Sequence, residues 1–444
     1  MTTSRFDPSG PLRGTLRPPP DKSISHRAAL LAAMGEGRSR ISNYLMAQDT
    51  AATLRAIAAL GASHTEDRAE DDALDVEIGG IGLHGPRPAE IDVGNAGTLL
   101  RVLPGWLAGQ DGRRWTLDGD DSIRSRPVDR VAEPLQLMGA EVDCREGRLP
   151  PLAITGSRLR GISYELPIAS AQVKSCILLA GLLAEGETVL VEPVPSRDHT
   201  ERMLTAAGAS IEVESTGSLA TARRPMPRRI TVRSVESLGS RSWEVPGDFS
   251  SAGFLTAAAL LVPGSDLRLE RVGINPTRVG LLGIATRMGG AIEVEEASQD
   301  GPEPTGTLQV RHSALQATRV GPAEVPMAID ELPLVALLGC FADGETVVTG
   351  AEELRRKESD RIATVVDGLR ALGARIEALP DGFAVTGTGD LRGGTLDPRG
   401  DHRMALLGAV AGLASRDGVE VESFGSSEVS YPGFESDLGE LLDR

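Results

Sequence analysis

Glycine recurs along this chain at a nearly constant interval, and that interval restricts the fold to an array of one repeated unit. Gly37, Gly112, Gly186, Gly264, Gly344 and Gly418 each follow an apolar, helix-like run and precede a short β-rich segment, at spacings of 75, 74, 78, 80 and 74 residues. The segments read LLAAMGEGRSRI, WLAGQDGRRWTL, LLAGLLAEGETVLV, TAAALLVPGSDLRL, VALLGCFADGETVV and LLGAVAGLASRDGVEV. A second marker falls between them, a helix that closes on glycine before a strand: LRAIAALGAS, PLQLMGAEV, MLTAAGASIEV, TRMGGAIEV and ALGARIEAL. Glycine at such a stop supplies the positive φ of a helix C-cap. The repeat is therefore strand, helix, strand, helix and paired strands, six times over.

Six such units are too large for a slender solenoid, and 444 residues exceed what one hydrophobic core supports. Two domains of three units each are expected, one formed by residues 1–20 with 245–444 and the other by 21–244. The helices in VALLGCFA and LLAGLLA lack a polar face, so they belong inside each domain with sheets outside them. The stiff RPPPDK (17–22) and the stretch 241–248 read as two crossings, near 20–21 and 241–248, that together form a hinge beside a cleft.

Charge and composition exclude several classes. A net charge of −17 with 3% aromatic residues argues against a general nucleic-acid binder, which needs a basic stripe and stacking rings. The longest apolar runs fall short of the roughly 20 residues of a membrane span. MTTSRFDPSG has neither the apolar core of a signal peptide nor an Arg/Ser-rich transit helix, and a cytoplasmic location is expected. Cys144, Cys176 and Cys340 fit neither a disulfide framework nor a zinc site, and no motif asks for a metal. Only three of the 46 basic residues are lysines, Lys22, Lys174 and Lys357. In an arginine-rich chain a lysine marks a place for a compact ammonium that can give up a proton. Lys174 reads as helix surface, whereas the other two stand in charged motifs.

DKSISHR (21–27) opens the first apolar helix and puts Lys22, Ser23 and Arg27 within two turns. There they can face an anion at the helix N-terminus, where free N–H groups favour negative charge. Simple capping by Asp21 or Ser23 beside a solvated arginine is the plainer alternative. VGNAGTLLR (93–101) is a strand-to-helix glycine turn that either admits a ligand to the backbone or is a bare tight turn. SIRSRPVDR (122–130) stacks arginines ahead of a helix, either as a plain solvated loop or with one or two of them facing a ligand. Asp330 and Glu331 form an acidic start to the helix PLVALLGC. Read as a helix, LRRKESDRIA (354–363) places Lys357 at i,i+4 and Glu358 at i,i+3 from Arg361. In DPRGDHRMALLGAV (397–410), Asp401 caps a buried helix that begins with His402 and Arg403. Four repeat starts thus carry Lys or Arg at helix N-termini, and the carboxylates Asp330 and Glu358 join them in the second half only. This arrangement suits small substrates with several phosphate or carboxylate groups, with an acid and a base nearby.

In order along the chain, DKSISHR, GNAGTLLR, SRP, SAQVKS, SRDHTE, PGDFSSA, DELP, RRKESDRI and GDHRM resemble the motifs of the EPSP synthase (3-phosphoshikimate 1-carboxyvinyltransferase) family, over essentially the whole sequence. The resemblance implies an α/β fold of two inverse αβ domains, each of three βαβαββ units, in agreement with the repeat. It implies transfer of the enolpyruvyl group of phosphoenolpyruvate to the 5-hydroxyl of 3-phosphoshikimate. The products are 5-enolpyruvylshikimate 3-phosphate and phosphate, formed without a cofactor on the shikimate route to chorismate and aromatic amino acids. By motif, Lys22, Ser23, Arg27, Ser170, Ala171, Gln172, Ser196, Asp330 and Lys357 would hold 3-phosphoshikimate. Phosphoenolpyruvate would meet Lys22, Asn95, Gly97, Arg126, Gln172, Arg361 and Arg403, in a pocket that glyphosate would occupy as an inhibitor. Asp330, Glu358 and Lys22 would carry protons, and a monomer is expected. The chain departs from some members in three places. SSEVSYPGF lacks a lysine, Ala171 stands where others have a second serine, and Val102 follows Arg101 where others have proline. These features resemble the family's second bacterial class.

Two rival readings are weaker. The sister transferase acting on UDP-N-acetylglucosamine has Lys-Asn at its entry motif and a loop cysteine; here Ser23 follows Lys22, and 112–126 holds no cysteine. A sixfold-repeat DNA clamp needs Lys and Arg along its helices, and these helices are apolar.

Overall fold

The structure, a computed structural model, describes residues 3–68, 73–215, 226–298 and 301–442. The chain divides into two compact units, one of residues 20–245 with 300–303 and the other of residues 1–19, 246–299 and 304–444. The segment 300–303 thus groups apart from the strands that flank it in sequence.

Five four-stranded sheets share one strand order. In one of them Glu90–Asp92 runs parallel to Arg114–Asp118, which pairs antiparallel with Leu149–Thr155, and Glu141–Arg145 closes the outer side antiparallel. Parallel neighbours cannot be joined by a tight turn, so a helix bridges them, here Gly97–Ala108. A sixth sheet has three strands: Gly394–Leu396 parallel to Val419–Val421, with Ser4–Phe6 antiparallel on the far side. Along Arg114–Asp118, Trp115 and Leu117 are buried while Arg114 faces out, the alternation of a sheet with one covered face.

The covered faces lie on bridging helices that are apolar on all sides. Residues 20–245 contribute Lys22–Met34, Gly97–Ala108 and Ala171–Gly181; the other unit contributes Phe249–Leu261, Leu332–Phe341 and His402–Ala414. All 13 residues of Phe249–Leu261 are buried. Such helices have no polar stripe to offer solvent, so each becomes the core of its unit. The periodic glycines are the joints of this plan. The six turn glycines have φ between 73° and 102°, and the helix-ending Gly61, Gly139, Gly208, Gly289 and Gly373 lie between 90° and 111°. Both sets occupy the left-handed region, where a Cβ is costly.

Two edge strands are exchanged between repeats. Arg13–Leu16 precedes Lys22–Met34 but pairs with Asp266–Gly273, the strand that follows Phe249–Leu261. Trp243–Glu244 precedes Phe249–Leu261 but pairs with Arg38–Ser42, the strand that follows Lys22–Met34. Among the described residues no helix is long and apolar enough to cross a membrane.

Two glycines of the same unit should respond very differently to alanine. A Cβ on Gly105 would lie 2.0 Å from the backbone carbonyl oxygen of Cys176, so the helices Gly97–Ala108 and Ala171–Gly181 would have to part. A Cβ on Gly112, with φ of 73°, meets nothing within 4 Å. Urea unfolding should show a loss of about 1–2 kcal/mol for Gly112→Ala, from the left-handed backbone alone. The loss for Gly105→Ala should be about 3 kcal/mol or more, from overpacking. Equal losses would refute the close approach of these two helices.

Candidate active site

Polar chemistry gathers at the N-terminal ends of the buried helices, and each unit carries its own group. In residues 20–245, Asp21 caps Lys22–Met34 by accepting from the N–H of Ile24 at 2.8 Å. Lys22 Nζ donates to Asp49 Oδ2 at 3.1 Å, its side chain 17% exposed. Arg27 is buried, not solvated: it donates to Thr200 Oγ1 (2.8 Å), Ser175 Oγ (3.0 Å) and the carbonyl of Ser23 (3.0 Å). Burial pulls this guanidinium down to about 10, against the pull of Asp21 and Glu201, so it stays charged at neutral pH.

A second set surrounds Gly97, which begins a helix that has no side-chain cap. Arg126 donates to Asn95 Oδ1 at 2.8 Å and Ser122 Oγ at 2.9 Å, while Asn95 Nδ2 donates to Asp120 Oδ2 at 2.7 Å. Arg101 donates to Gln172 Oε1 at 3.0 Å, and Gln172 Nε2 donates to Thr98 Oγ1 at 3.2 Å. A Cβ on Gly97 would stand 3.1 Å from Arg126 Nη1 and 3.4 Å from Arg101 Nη1. The missing side chain is therefore what keeps two guanidinium groups beside this helix start. Ser170 caps the helix that begins with Ala171, accepting from the N–H of Val173 at 3.4 Å.

Lys174 is not a surface residue. It is fully buried, with its ammonium 3.0 Å from Glu192 Oε1 and 2.7 Å from Glu201 Oε1. Burial alone would pull the ammonium down, but Glu201 and Glu192 outweigh it and hold it above its ordinary range. Burial in turn pushes Glu201 up, opposed by Lys174. Ser196 is tied to the same cluster, its hydroxyl donating to Glu192 Oε1 at 2.5 Å.

The other unit centres on Asp330. Its Oδ1 lies 3.1 Å from Arg361 and 3.5 Å from Lys357, and its Oδ2 lies 3.6 Å from Arg403. Arg361, 1% exposed, also donates to Asp401 Oδ2 at 2.8 Å and to Glu358 Oε2 at 2.5 Å. Burial works against its charge, but Asp401, Glu358 and Asp330 together raise it above the usual arginine range. Asp401 caps His402–Ala414 through the N–H of Arg403 at 3.0 Å. Behind Asp330, the buried Glu331 takes Arg278 at 2.7 Å and 3.1 Å and accepts from Ser250 Oγ at 2.6 Å. Burial lowers the Lys357 ammonium, with Asp330 opposing and Arg361 adding to the fall.

Two further expectations need correction. Lys357 and Glu358 do not share a helix with Arg361: Glu352–Arg356 is a 3₁₀ turn, and the next helix starts at Arg361 with Asp360 as its cap, accepting from Ala363 at 3.1 Å. A side chain that competes for the first free N–H groups starts the helix there, and the loop still brings Glu358 to Arg361. Nor are carboxylates confined to the second half, because Asp49 partners Lys22. Sequence reading missed Asp49, Arg101, Arg278 and the Glu192–Glu201 pair. Arg101 lies inside GNAGTLLR and Glu201 inside SRDHTE, whereas nothing in the spacing of Asp49 marks it. Among the described residues no cluster of His, Cys, Asp and Glu could hold a metal ion.

The sequence model of EPSP synthase (3-phosphoshikimate 1-carboxyvinyltransferase) matches residues 6–438. The chain belongs to the EPSP synthase family. It is 46% identical to the 3-phosphoshikimate 1-carboxyvinyltransferase of Thermus thermophilus over 440 residues, 99% of this chain and 98% of that one. The protein of that name from Methylococcus capsulatus is 45% identical over 433 residues, 96% and 94% of the two chains. The solved structure of EPSP synthase from Acinetobacter baumannii superposes with a TM-score of 0.85 at 37% identity, covering 99% of this chain and 98% of that one. The enolpyruvyl transferase NikO from Streptomyces tendae shares the fold, with a TM-score of 0.76 at 19% identity, covering 99% and 97%. The EPSP synthase family is a family of enzymes, and its two-domain α/β architecture is the one described above.

His26, next to Arg27, gives a measurable consequence. Its Nδ1 lies 2.6 Å from Thr53 Oγ1, and burial drives it down to about 3, against the pull of Asp49 and with Lys22 and Arg27 assisting. The folded protein refuses a proton that the unfolded chain accepts near 6.5. This stabilisation is therefore complete above that pH and is lost as pH falls toward 3, a change of about 5 kcal/mol. His26→Asn, which retains a hydrogen-bonding group toward Thr53, should flatten the acid limb of the stability profile measured by urea unfolding from pH 7 to 4. An unchanged limb would remove His26 as its cause.

Proposed function

We propose that this chain transfers the enolpyruvyl group of phosphoenolpyruvate to the 5-hydroxyl of 3-phosphoshikimate, releasing phosphate. The observation that carries this reading is Asp330, one carboxylate met by Lys357, Arg361 and Arg403 in a chain of the EPSP synthase family. Small anionic substrates need cations held in advance, and these cations are fixed by ion pairs before any ligand arrives. Lys22, Ser23, Arg27, Ser170, Ala171, Gln172, Ser196, Asp330 and Lys357 bind 3-phosphoshikimate, while Lys22, Asn95, Gly97, Arg126, Gln172, Arg361 and Arg403 bind phosphoenolpyruvate.

The chemistry follows in two steps. The 5-hydroxyl oxygen adds to C2 of phosphoenolpyruvate as its proton leaves and C3 gains one. The tetrahedral intermediate then expels phosphate as C3 gives a proton back. Asp330, Glu358 and Lys22 carry these protons. Asp49, 3.1 Å from the Lys22 ammonium, supports such a role by holding that group beside a second acceptor. The test is phosphate release with phosphoenolpyruvate and either 3-phosphoshikimate or UDP-N-acetylglucosamine. Release with the second acceptor alone would transfer the chain to the sister activity.

Lys22→Arg should lower kcat/KM on the order of a hundred- to thousandfold, the effect of losing one preorganised donor. The planar fork is larger than the ammonium and does not release its proton. Near-normal turnover in a folded Lys22→Arg protein would remove Lys22 from proton transfer.

Glyphosate is proposed to occupy the phosphoenolpyruvate pocket. It is longer than phosphoenolpyruvate, so a methyl group beside Arg126 and Arg101 should crowd the inhibitor more than the substrate. The ratio of the inhibition constant to the KM for phosphoenolpyruvate should rise in Gly97→Ala; a constant ratio places Gly97 outside that pocket.

A further inference from the structure

Lys174 lies one turn inside Ala171–Gly181 from its cap Ser170 and is fully buried. Its ammonium has three N–H donors and three acceptors around it. It donates to Glu192 Oε2 at 3.1 Å and to the Ser196 carbonyl at 3.3 Å, and lies 2.7 Å from Glu201 Oε1. An ammonium matches such a compact set, whereas a guanidinium is too wide and flat. That explains a lysine at this point in a chain whose other basic residues are almost all arginine.

Each acceptor governs a neighbour. Glu192 Oε1 accepts from both the N–H of Ser196, at 3.2 Å, and its hydroxyl, at 2.5 Å. Ser196 is therefore held at three atoms, with its carbonyl on Lys174 and its N–H and hydroxyl on Glu192. On the other side, Ser175 follows Lys174 in sequence and Thr200 precedes Glu201. The hydroxyls of Ser175 and Thr200 meet at 2.6 Å, and each also accepts from Arg27. The Lys174–Glu201 pair thus locks the two helices that present these hydroxyls. One ammonium between two carboxylates leaves a negative charge in excess, and Glu201 attracts the Arg27 guanidinium.

We propose that Lys174 is a positioning residue for 3-phosphoshikimate binding, setting Ser196 through Glu192 and setting Arg27 through Glu201 and Thr200. This rests on the function proposed above and deepens it, because Lys174 itself is out of reach of any ligand. Preset groups bind an anion without reordering on its arrival, so loosening them weakens binding of that substrate alone.

The test compares Lys174→Met with Lys174→Met/Glu201→Gln, which keeps the net charge of the cluster and guards against failure of the single variant to fold. Isothermal titration with 3-phosphoshikimate alone should show the dissociation constant raised about tenfold or more, the effect of weakened charge-assisted hydrogen bonds. The kcat and the KM for phosphoenolpyruvate should stay within about twofold of native. A merely structural role would instead lower the active fraction, and with it kcat, while leaving the dissociation constant unchanged. An unchanged constant in either folded variant overturns the proposal. If the native protein itself releases no phosphate with 3-phosphoshikimate, the function proposed above fails and this inference falls with it.

Discussion

A helix that is apolar on every side can be covered on every side, and then only its two ends are left for polar groups. That constraint organises both units. The bridging helices occupy the interior, the sheets take the outside, and the free N–H groups at each helix start must be met by something polar. Asp21, Ser170, Asp248 and Asp401 meet them directly as caps. Gly97–Ala108 and Leu332–Phe341, one in each unit, have no such side-chain cap, and Gly97 and the Asp330–Glu331 pair stand there. The charged residues of these helices gather near their starts because the core covers the rest of each one.

The two units solve the charge problem in different ways. Around Asp330 the carboxylates of Asp330, Glu331, Glu358 and Asp401 meet the cations of Arg278, Lys357, Arg361 and Arg403, so the group is balanced within itself. Breaking one member of such a buried set leaves its partners unpaired, which costs far more than the pair contributes. In residues 20–245, by contrast, Arg27 rests on hydroxyls and a carbonyl, which accept its hydrogen bonds without cancelling its charge. Its charge is offset instead at longer range, by the carboxylates of Asp21, Glu201 and Glu303.

Much of this architecture was legible because glycine leaves little choice: a residue needed at positive φ recurs wherever the repeat turns. The lysine bias marked Lys174 as it marked Lys22 and Lys357, but its motif read as helix surface, because its acceptors Glu192 and Glu201 come from a strand and a helix later in the chain. No periodicity reports a partner that only tertiary structure brings close. For the same reason Asp49 went unnoticed, because its pairing with Lys22 needs two helices to be packed first. At 354–363 the charge spacing suggested one helix, but a capping aspartate at 360 outcompeted it locally.

The exchanged edge strands also set an order of assembly. Residues 20–245 are contiguous and contain Trp243–Glu244, so their sheets can close as soon as that segment has left the ribosome. The other unit cannot close so early. Ser4–Phe6 and Arg13–Leu16 are made before residues 20–245, yet their partners Val419–Val421 and Asp266–Gly273 are made only after them. During that interval two unpaired strands wait as sticky edges. They are three and four residues long and carry Arg5 and Arg13, features that limit pairing with other nascent chains. Vectorial synthesis thus asks these two strands to wait for partners made hundreds of residues later.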